Sequence, residues 1–410
     1  MKRIFICFFI ITFSLFCKAQ INPPQQLSDT IHTTEVPQKD IVDVLHRILH
    51  KKNNADTVRA GKKFNWSFIP AAGYTLQTGF AGVVSGNIGF YQQGAKDQKI
   101  SNISTSFTYS QYKQIIFPLY SNIWTKGNKI NIISDFKYLS YPSEIYGLGG
   151  KRISIEANSN TAYTVNFEYV KLHQSVMFKI LKNFYAGGGI FYDQFWNIKV
   201  TDSLGKRISH LLTRDLQSSE RASGIAVKAL FDNRINQINP QNGEYISLTY
   251  RPNFTFMGSQ TNWSSLQIDA RKYIRFPASS ENVLAFWGFA WLNTSKNAPP
   301  YLMLPSTGWD DQNNIGRGYI QSRFRGRNMY YYENEYRFAI TRNGLLGGVV
   351  FANVQSFSAD LSDEYKKLLL GYGLGVRIKL NKHSNTNLCV DYGFGKDNSH
   401  GFFVNIGEVF

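Results

Sequence analysis

From Phe64 to Phe410 apolar side chains recur at every second position, and the positions between them carry charges of both signs. Along Lys366 to Leu380, the residues Leu368, Leu370, Tyr372, Leu374, Val376, Ile378 and Leu380 share one face, opposite Lys367, Gly371, Gly373, Gly375, Arg377 and Lys379. In Leu266 to Phe276, Leu266, Ile268, Ala270 and Ile274 alternate with Gln267, Asp269, Arg271, Tyr273 and Arg275, and Lys272 is the exception. In Tyr330 to Phe338, Tyr330, Tyr332, Tyr336 and Phe338 alternate with Tyr331, Glu333, Glu335 and Arg337. A period of two is the signature of a β-strand with chemically distinct faces. A water-soluble sandwich turns its charged face outward, whereas a membrane barrel turns its apolar face to lipid and keeps a polar lumen. The alternation alone does not say which face is which.

Composition and the N-terminus favour the membrane alternative. Aromatics make up 15% of the chain, although the mean hydropathy is slightly negative. That pairing is expected where only alternate residues meet lipid and aromatic girdles mark both interfaces. Residues 1–19 read as an export signal: Lys2 and Arg3, the apolar run Ile4 to Phe16, then Cys17-Lys18-Ala19 before Gln20. Phe16 is too bulky for the position before a lipid-bearing cysteine, which ranks a lipoprotein signal lower. Beyond this run no apolar stretch is long enough for a spanning helix. Cys389 is the only cysteine after the signal, so neither an intrachain disulfide nor a cysteine metal site is expected. Without Lys2, Arg3 and Lys18 the net charge falls from +17 to +14, a basic balance that suits anionic lipid head groups. There is no aromatic–basic array of the kind that binds nucleic acid.

Residues 20–63 form a separate segment, expected in the periplasm. Residues 20–36 are a polar linker with Pro23 and Pro24, and 37–52 are expected to form a short amphipathic helix, with Ile41, Val42, Leu45, Ile48 and Leu49 opposite Asp40, Asp43, Arg47 and Lys51. Residues 64–410 contain about sixteen strand-like segments, an even number as bacterial single-chain barrels require. Their centres are Trp66, Ser85, Thr105, Pro118, Ile133, Phe167, Gly188, Val227, Leu248, Ala270, Gly288, Glu333, Val350, Gly373, Val390 and Ile406. Long connections near 140–160, 200–221 and 295–326 all follow odd-numbered segments, as outward loops should. The expected fold is all-β, a sixteen-stranded antiparallel transmembrane barrel with a short N-terminal linker and helix, in the bacterial outer membrane.

Three groups of residues stand out within it. The eleventh connection contains Pro305-Ser306-Thr307-Gly308, Gly316-Arg317-Gly318-Tyr319 and Arg323-Phe324-Arg325-Gly326-Arg327-Asn328. Phe231-Asp232-Asn233-Arg234 with Asn239-Pro240-Gln241-Asn242-Gly243 reads as a tight turn, with Pro240 fixing φ and Gly243 supplying a permissive backbone. The chain ends Phe402-Phe403-Val404-Asn405-Ile406-Gly407-Glu408-Val409-Phe410. In these motifs the sequence resembles the barrel domain of the BamA/TamA superfamily of outer-membrane assembly and secretion proteins, in the bacterial surface antigen group.

The resemblance implies that Arg317, Gly318 and Tyr319 are the family's lumenal loop motif. It implies Glu335 on the twelfth strand as partner of Arg317, with Glu333 as a further candidate, and Asn353 at the thirteenth-strand position where the family usually has an aspartate. Arg317 then either staples the loop for stability or takes part in gating or assembly. Asp232, Asn239, Pro240 and Gly243 would shape a periplasmic turn. Gly407 and Phe410 would form the C-terminal insertion signal and close the seam against the first strand near Trp66. Family assembly factors carry periplasmic POTRA domains, each on the order of 75 residues; the roughly 45 residues between Gln20 and Phe64 hold none.

The function implied is insertion or transport of protein or lipid, with outer-membrane lipids, the barrel-insertion machinery during biogenesis and a separate periplasmic protein as partners. A surface-display barrel is the first alternative and an outer-membrane lipase the second. Enzymatic signals are weak: no nucleophile elbow is present, and no cofactor or catalytic residue is expected. His46 and His50 have helical metal-ligand spacing, but Arg47 stands where a metalloprotease needs glutamate, so no metal is expected. A lipase would need His and Ser facing lipid, for which His173 with Ser175 is the nearest candidate.

Overall fold

A computed structural model describes residues 37–48, 64–75, 78–90, 98–146, 163–201, 216–310, 314–358, 368–382 and 385–410. The expected export signal, the linker at 20–36, residues 49–52 of the expected helix and the side chains of His46 and His50 lie outside them. The strands are β1 (Phe64–Thr75), β2 (Gly79–Phe90), β3 (Ser101–Ser110), β4 (Ile115–Trp124), β5 (Ile130–Ile145), β6 (Tyr163–Leu181), β7 (Phe184–Thr201) and β8 (Glu220–Asp232). They continue as β9 (Gly243–Asn253), β10 (Trp263–Arg275), β11 (Val283–Asn293), β12 (Asn328–Ala339), β13 (Leu346–Ser358), β14 (Leu369–Asn381), β15 (Thr386–Gly395) and β16 (His400–Ile406). Each pairs antiparallel with its sequence neighbour in one sixteen-stranded sheet. All sixteen expected centres fall inside their strands, and Ile406 is the last residue of its own.

The sheet curls so that β1 lies beside β16, but among the described residues no backbone ladder joins them. The barrel is therefore nearly closed, with one seam where two strand edges meet unpaired.

The two faces fall as a membrane barrel requires. On β14, Leu370, Tyr372 and Leu374 are 63%, 60% and 59% exposed, whereas Arg377 on the opposite face is buried. On β12, beyond Asn328 at its start, the buried residues are Met329, Tyr331, Glu333, Glu335 and Arg337. Apolar side chains face outward and ionic ones face the lumen, where every charge needs a partner. Lys272, the break in the β10 pattern, stands directly opposite Glu244 on β9 and forms an ion pair with it. A cross-strand pair of opposite charge makes that position tolerable.

Helix α1 (Ile41–Ile48) is shorter at its start than the expected 37–52, because Asp40 caps it. The Asp40 carboxylate accepts the Asp43 N–H at 3.0 Å and the Asp43 carboxylate accepts the Asp40 N–H at 3.1 Å, a reciprocal box that satisfies two otherwise free donors. The helix docks on the short turns. Lys39 donates its N–H to the Asn343 carbonyl at 3.0 Å, the Lys382 N–H reaches Asp40 at 3.1 Å, and the Lys382 ammonium lies 3.0 Å from Asp43. These turns connect β12 to β13 and β14 to β15, which places α1 at the end of the barrel that carries these short connections.

Candidate functional site

The connection between β11 and β12 does not stay outside the barrel; it folds into the lumen. Tyr301, Leu302, Met303 and Leu304 join a buried cluster with Tyr141, Phe167, Phe195 and Trp263 from the wall. Trp309 packs edge-on to Tyr141 at 6.1 Å. This apolar anchorage carries the next stretch, Gly316-Arg317-Gly318-Tyr319, down to the far wall.

There Arg317, only 2% exposed, donates to three carboxylates at once: Glu333 and Glu335 on β12 and Asp391 on β15. Its guanidinium also lies 3.8 Å from the centre of the Phe351 ring. A buried guanidinium needs such partners because desolvation of a lone charge costs several kcal/mol. Desolvation would weaken the proton's hold on Arg317, but the three carboxylates outweigh it and push the group well above the ordinary arginine range.

The backbone of the loop must lie almost flat on the wall for this reach. Gly318 has φ +108°, and a Cβ there would sit 2.6 Å from the Phe394 carbonyl oxygen. The wall is correspondingly bare: a Cβ on Gly393 would meet the Gly318 nitrogen at 2.7 Å. Gly371 on β14 and Gly393 and Gly395 on β15, each within 2.7 Å of the loop backbone at the Cβ position, are thus the bed of the loop. Tyr319 completes the dock, donating its hydroxyl to the Leu370 carbonyl at 2.5 Å and accepting the Lys396 N–H at 2.8 Å.

The expected partners divide. Glu335 and Glu333 both bind the Arg317 guanidinium. Asn353 does not; its amide donates instead to the Arg317 main-chain carbonyl at 2.9 Å. The third charge comes from Asp391, which sequence reasoning missed. The signal available was a lone acid in the alternating run Val390-Asp391-Tyr392, on the face opposite the apolar residues.

A second tier of charge lies beside the first. Arg377 on β14 donates to Asp391 at 2.5 Å and to Glu408 at 2.8 Å. Arg337 on β12 donates to Glu335 at 2.6 Å and to the Phe410 carbonyl at 2.9 Å. Glu408, Val409 and Phe410 are therefore inside the barrel, not at the seam where the sequence placed Phe410. The Phe410 ring packs at 5.1 Å on Trp287 of β11, on the lumenal side. Gly407 is the cause. Its φ of +88° turns the chain inward after Ile406, a conformation that favours glycine.

The residues expected in the periplasmic turn come together as a unit between β8 and β9. Asp232 accepts from Arg234 at 2.9 and 3.1 Å and from Gln237 at 3.1 Å. Gly243 opens β9 at φ +107°, and a Cβ there would meet the Asn233 side-chain oxygen at 2.8 Å. Pro240 and Asn239 are buried beneath the turn.

His173 and Ser175 lie on the lumenal face of β6 with the buried residues Tyr169, Lys171 and Met177, not on the lipid face a membrane lipase needs. His173 instead pairs with Asp193 at 2.8 Å and stacks on Phe191 at 3.9 Å. Tyr169 and Arg251 reach the same carboxylate at 2.5 and 2.6 Å. That constellation is a lumenal ion-pair network on the wall opposite the Arg317 dock. No group of three metal-ligating side chains occurs among the described residues.

No protein-family model matches the chain. No curated protein matches it either. Solved structures do. BamA from Haemophilus ducreyi lacking POTRA domains 1-3 superposes with a TM-score of 0.52 at 12% identity, over 85% of this chain and 70% of that one. CdiB from Acinetobacter baumannii gives 0.53 at 12%, over 84% and 60%. CdiB from Escherichia coli gives 0.54 at 12%, over 84% and 62%. This chain thus spans under two thirds of either CdiB chain. Its sixteen strands have the fold of the BamA and CdiB outer-membrane barrels.

Proposed function

We propose that this protein inserts or moves protein or lipid at the outer membrane through its β1–β16 seam, rather than acting as a catalyst. One observation carries the reading: among the described residues no ladder joins β1 to β16, so β16 presents a strand edge beside a cavity. The cavity, about 210 Å³, is lined by Phe402, Phe403, Val404 and Asn405 of that edge and by Trp309, Ile315 and Arg317 of the lumenal loop. Unpaired backbone at membrane depth is costly unless it is buried or satisfied, and a free edge is a template for an added strand. β16 is also the shortest strand, seven residues against nineteen in β6, so fewer bonds oppose its displacement. The loop and C-terminal motifs, which resemble those of assembly and secretion barrels, support the same reading. A separate periplasmic protein would supply client reception.

The test is a photo-crosslinking residue at Phe402. Capture of an extended outer-membrane precursor peptide there, and not at Leu248 on the far wall, supports the proposal. Equal or absent capture at both sites overturns it. The packed lumen favours a second reading, a plugged barrel that displays its outward loops; a protein that captures no precursor and shows no conductance in planar bilayers would fit that reading instead.

A further inference from the structure

The turn at residues 233–242 belongs to β8 and β9, and β8 is eight places from β16 in either direction round a ring of sixteen. Yet this turn touches the C-terminal tail. The Glu408 N–H donates to the Ile238 carbonyl at 3.0 Å. The Asn239 side chain donates to the Asn385 carbonyl, in the turn before β15, at 3.2 Å. A ten-residue turn going out and back reaches about 17 Å at most, so it covers the mouth only because the tail, bent in at Gly407, comes to meet it.

The turn is built to hold that position. The Asn236 side-chain oxygen accepts the N–H groups of Ile238 at 2.8 Å and Asn239 at 3.0 Å, which fixes the tip. Asp232, bound by Arg234 and Gln237, fixes the base. From a third side Lys99, in the connection between β2 and β3, donates to the Asp232 carbonyl at 3.1 Å and lies 4.6 Å over the Trp124 ring. Three regions of the ring therefore meet across one opening.

We infer that the 233–242 turn is a clasp that closes the periplasmic mouth by holding the C-terminal tail in the lumen, and that opening it exposes the charge network from below. This goes beyond the seam reading and does not rest on it: the clasp stands whether or not β16 accepts clients. The tail is the link to the loop motif. Asn314 of the lumenal loop donates to the Val409 carbonyl at 2.5 Å, and Glu408 shares Arg377 with Asp391, the partner of Arg317. A periplasmic event at Ile238 is thus four contacts from Arg317.

The protein carries its own reporter. Cys389 on β15 is fully buried under the tail, its thiol donating to the Gly407 carbonyl at 3.1 Å and lying 3.7 Å from Glu408. Labelling by a water-soluble maleimide is followed at the Cys389 peptide by mass spectrometry, on purified protein in detergent micelles. An Asn236→Ala/Asn239→Ala variant that still shows folded-barrel mobility on an unheated gel is expected to label at least about tenfold faster than the parent. Equal rates overturn the clasp. The parent alone gives a second measurement should the variant not fold. Amide exchange of 236–239 and of 407–410 is expected to occur at one common rate, because neither can open without the other. Separate rates, with the tail protected while the turn exchanges freely, overturn the proposal.

Discussion

Asn353 donates its side-chain amide to the main-chain carbonyl of Arg317 at 2.9 Å, while the guanidinium of the same arginine is held by acids on β12 and β15. The position where the resemblance implies an aspartate here needs a donor. Asn353→Asp is therefore expected to destabilise the barrel by about 1–3 kcal/mol, the range for leaving a buried acceptor unpaired. The check is the temperature at which the heat-modifiable gel band unfolds. A neutral or higher temperature would contradict the assignment of Asn353 to the loop backbone.

Removing the hub has a larger effect. Arg317→Ala leaves Glu333, Glu335 and Asp391 short of a cation, at an expected cost of about 3–5 kcal/mol for breaking a buried pair. Arg317→Met with Glu333→Gln removes one charge of each sign and is expected to recover part of the loss. Thermal unfolding of the three proteins in the same detergent decides the matter; a double variant no better than Arg317→Ala would show that charge balance is not what holds the loop.

Gly318→Ala tests the flat approach of the loop. The added methyl meets the Phe394 carbonyl and the residue must keep φ +108°, a combination that costs at least about 1 kcal/mol. Protease cleavage within 294–327 in the folded barrel is expected to quicken several-fold, with the strands intact. Unchanged cleavage would mean that the loop does not depend on that contact.

Acid should loosen the tail. Burial alone would raise the Glu408 pKa, but Arg377 and Arg337 outweigh it and hold the group below the usual glutamate value of 4.5. Because the folded-state value is lowered, this contribution to stability is complete above about pH 4.5, the unfolded-state value. It is lost as pH falls through the lower folded-state value. Glu335, Asn387 and Cys389 also face the carboxylate. Glu408→Gln is expected to be less stable at pH 7 and to show a shallower stability loss below pH 4.5. Parallel pH curves for parent and variant would remove Glu408 from the account.

The barrel was legible because strand alternation is local: Leu370, Tyr372 and Leu374 declare their face within five residues. The acids on β12 were legible for the same reason. Asp391 was not, since it lies 74 residues from Arg317, and no local pattern says which strand a loop will rest on. The tail failed for a different reason. Phe402, Val404 and Ile406 face lipid at even positions, and parity carried to Phe410 puts its ring outside. The left-handed φ at Gly407 breaks that parity. The warning was Glu408, an even position at which unbroken alternation would have set a carboxylate in hydrocarbon.

The inversion of faces supports everything else, and spin labels on β14 test it directly. Labels placed singly at Leu370, Tyr372, Leu374 and Val376 in the protein reconstituted into bilayers are expected to collide with lipid-soluble oxygen and to be shielded from a water-soluble nickel chelate. If the chelate reaches these four positions and oxygen does not, the apolar face is not in the membrane and the account fails.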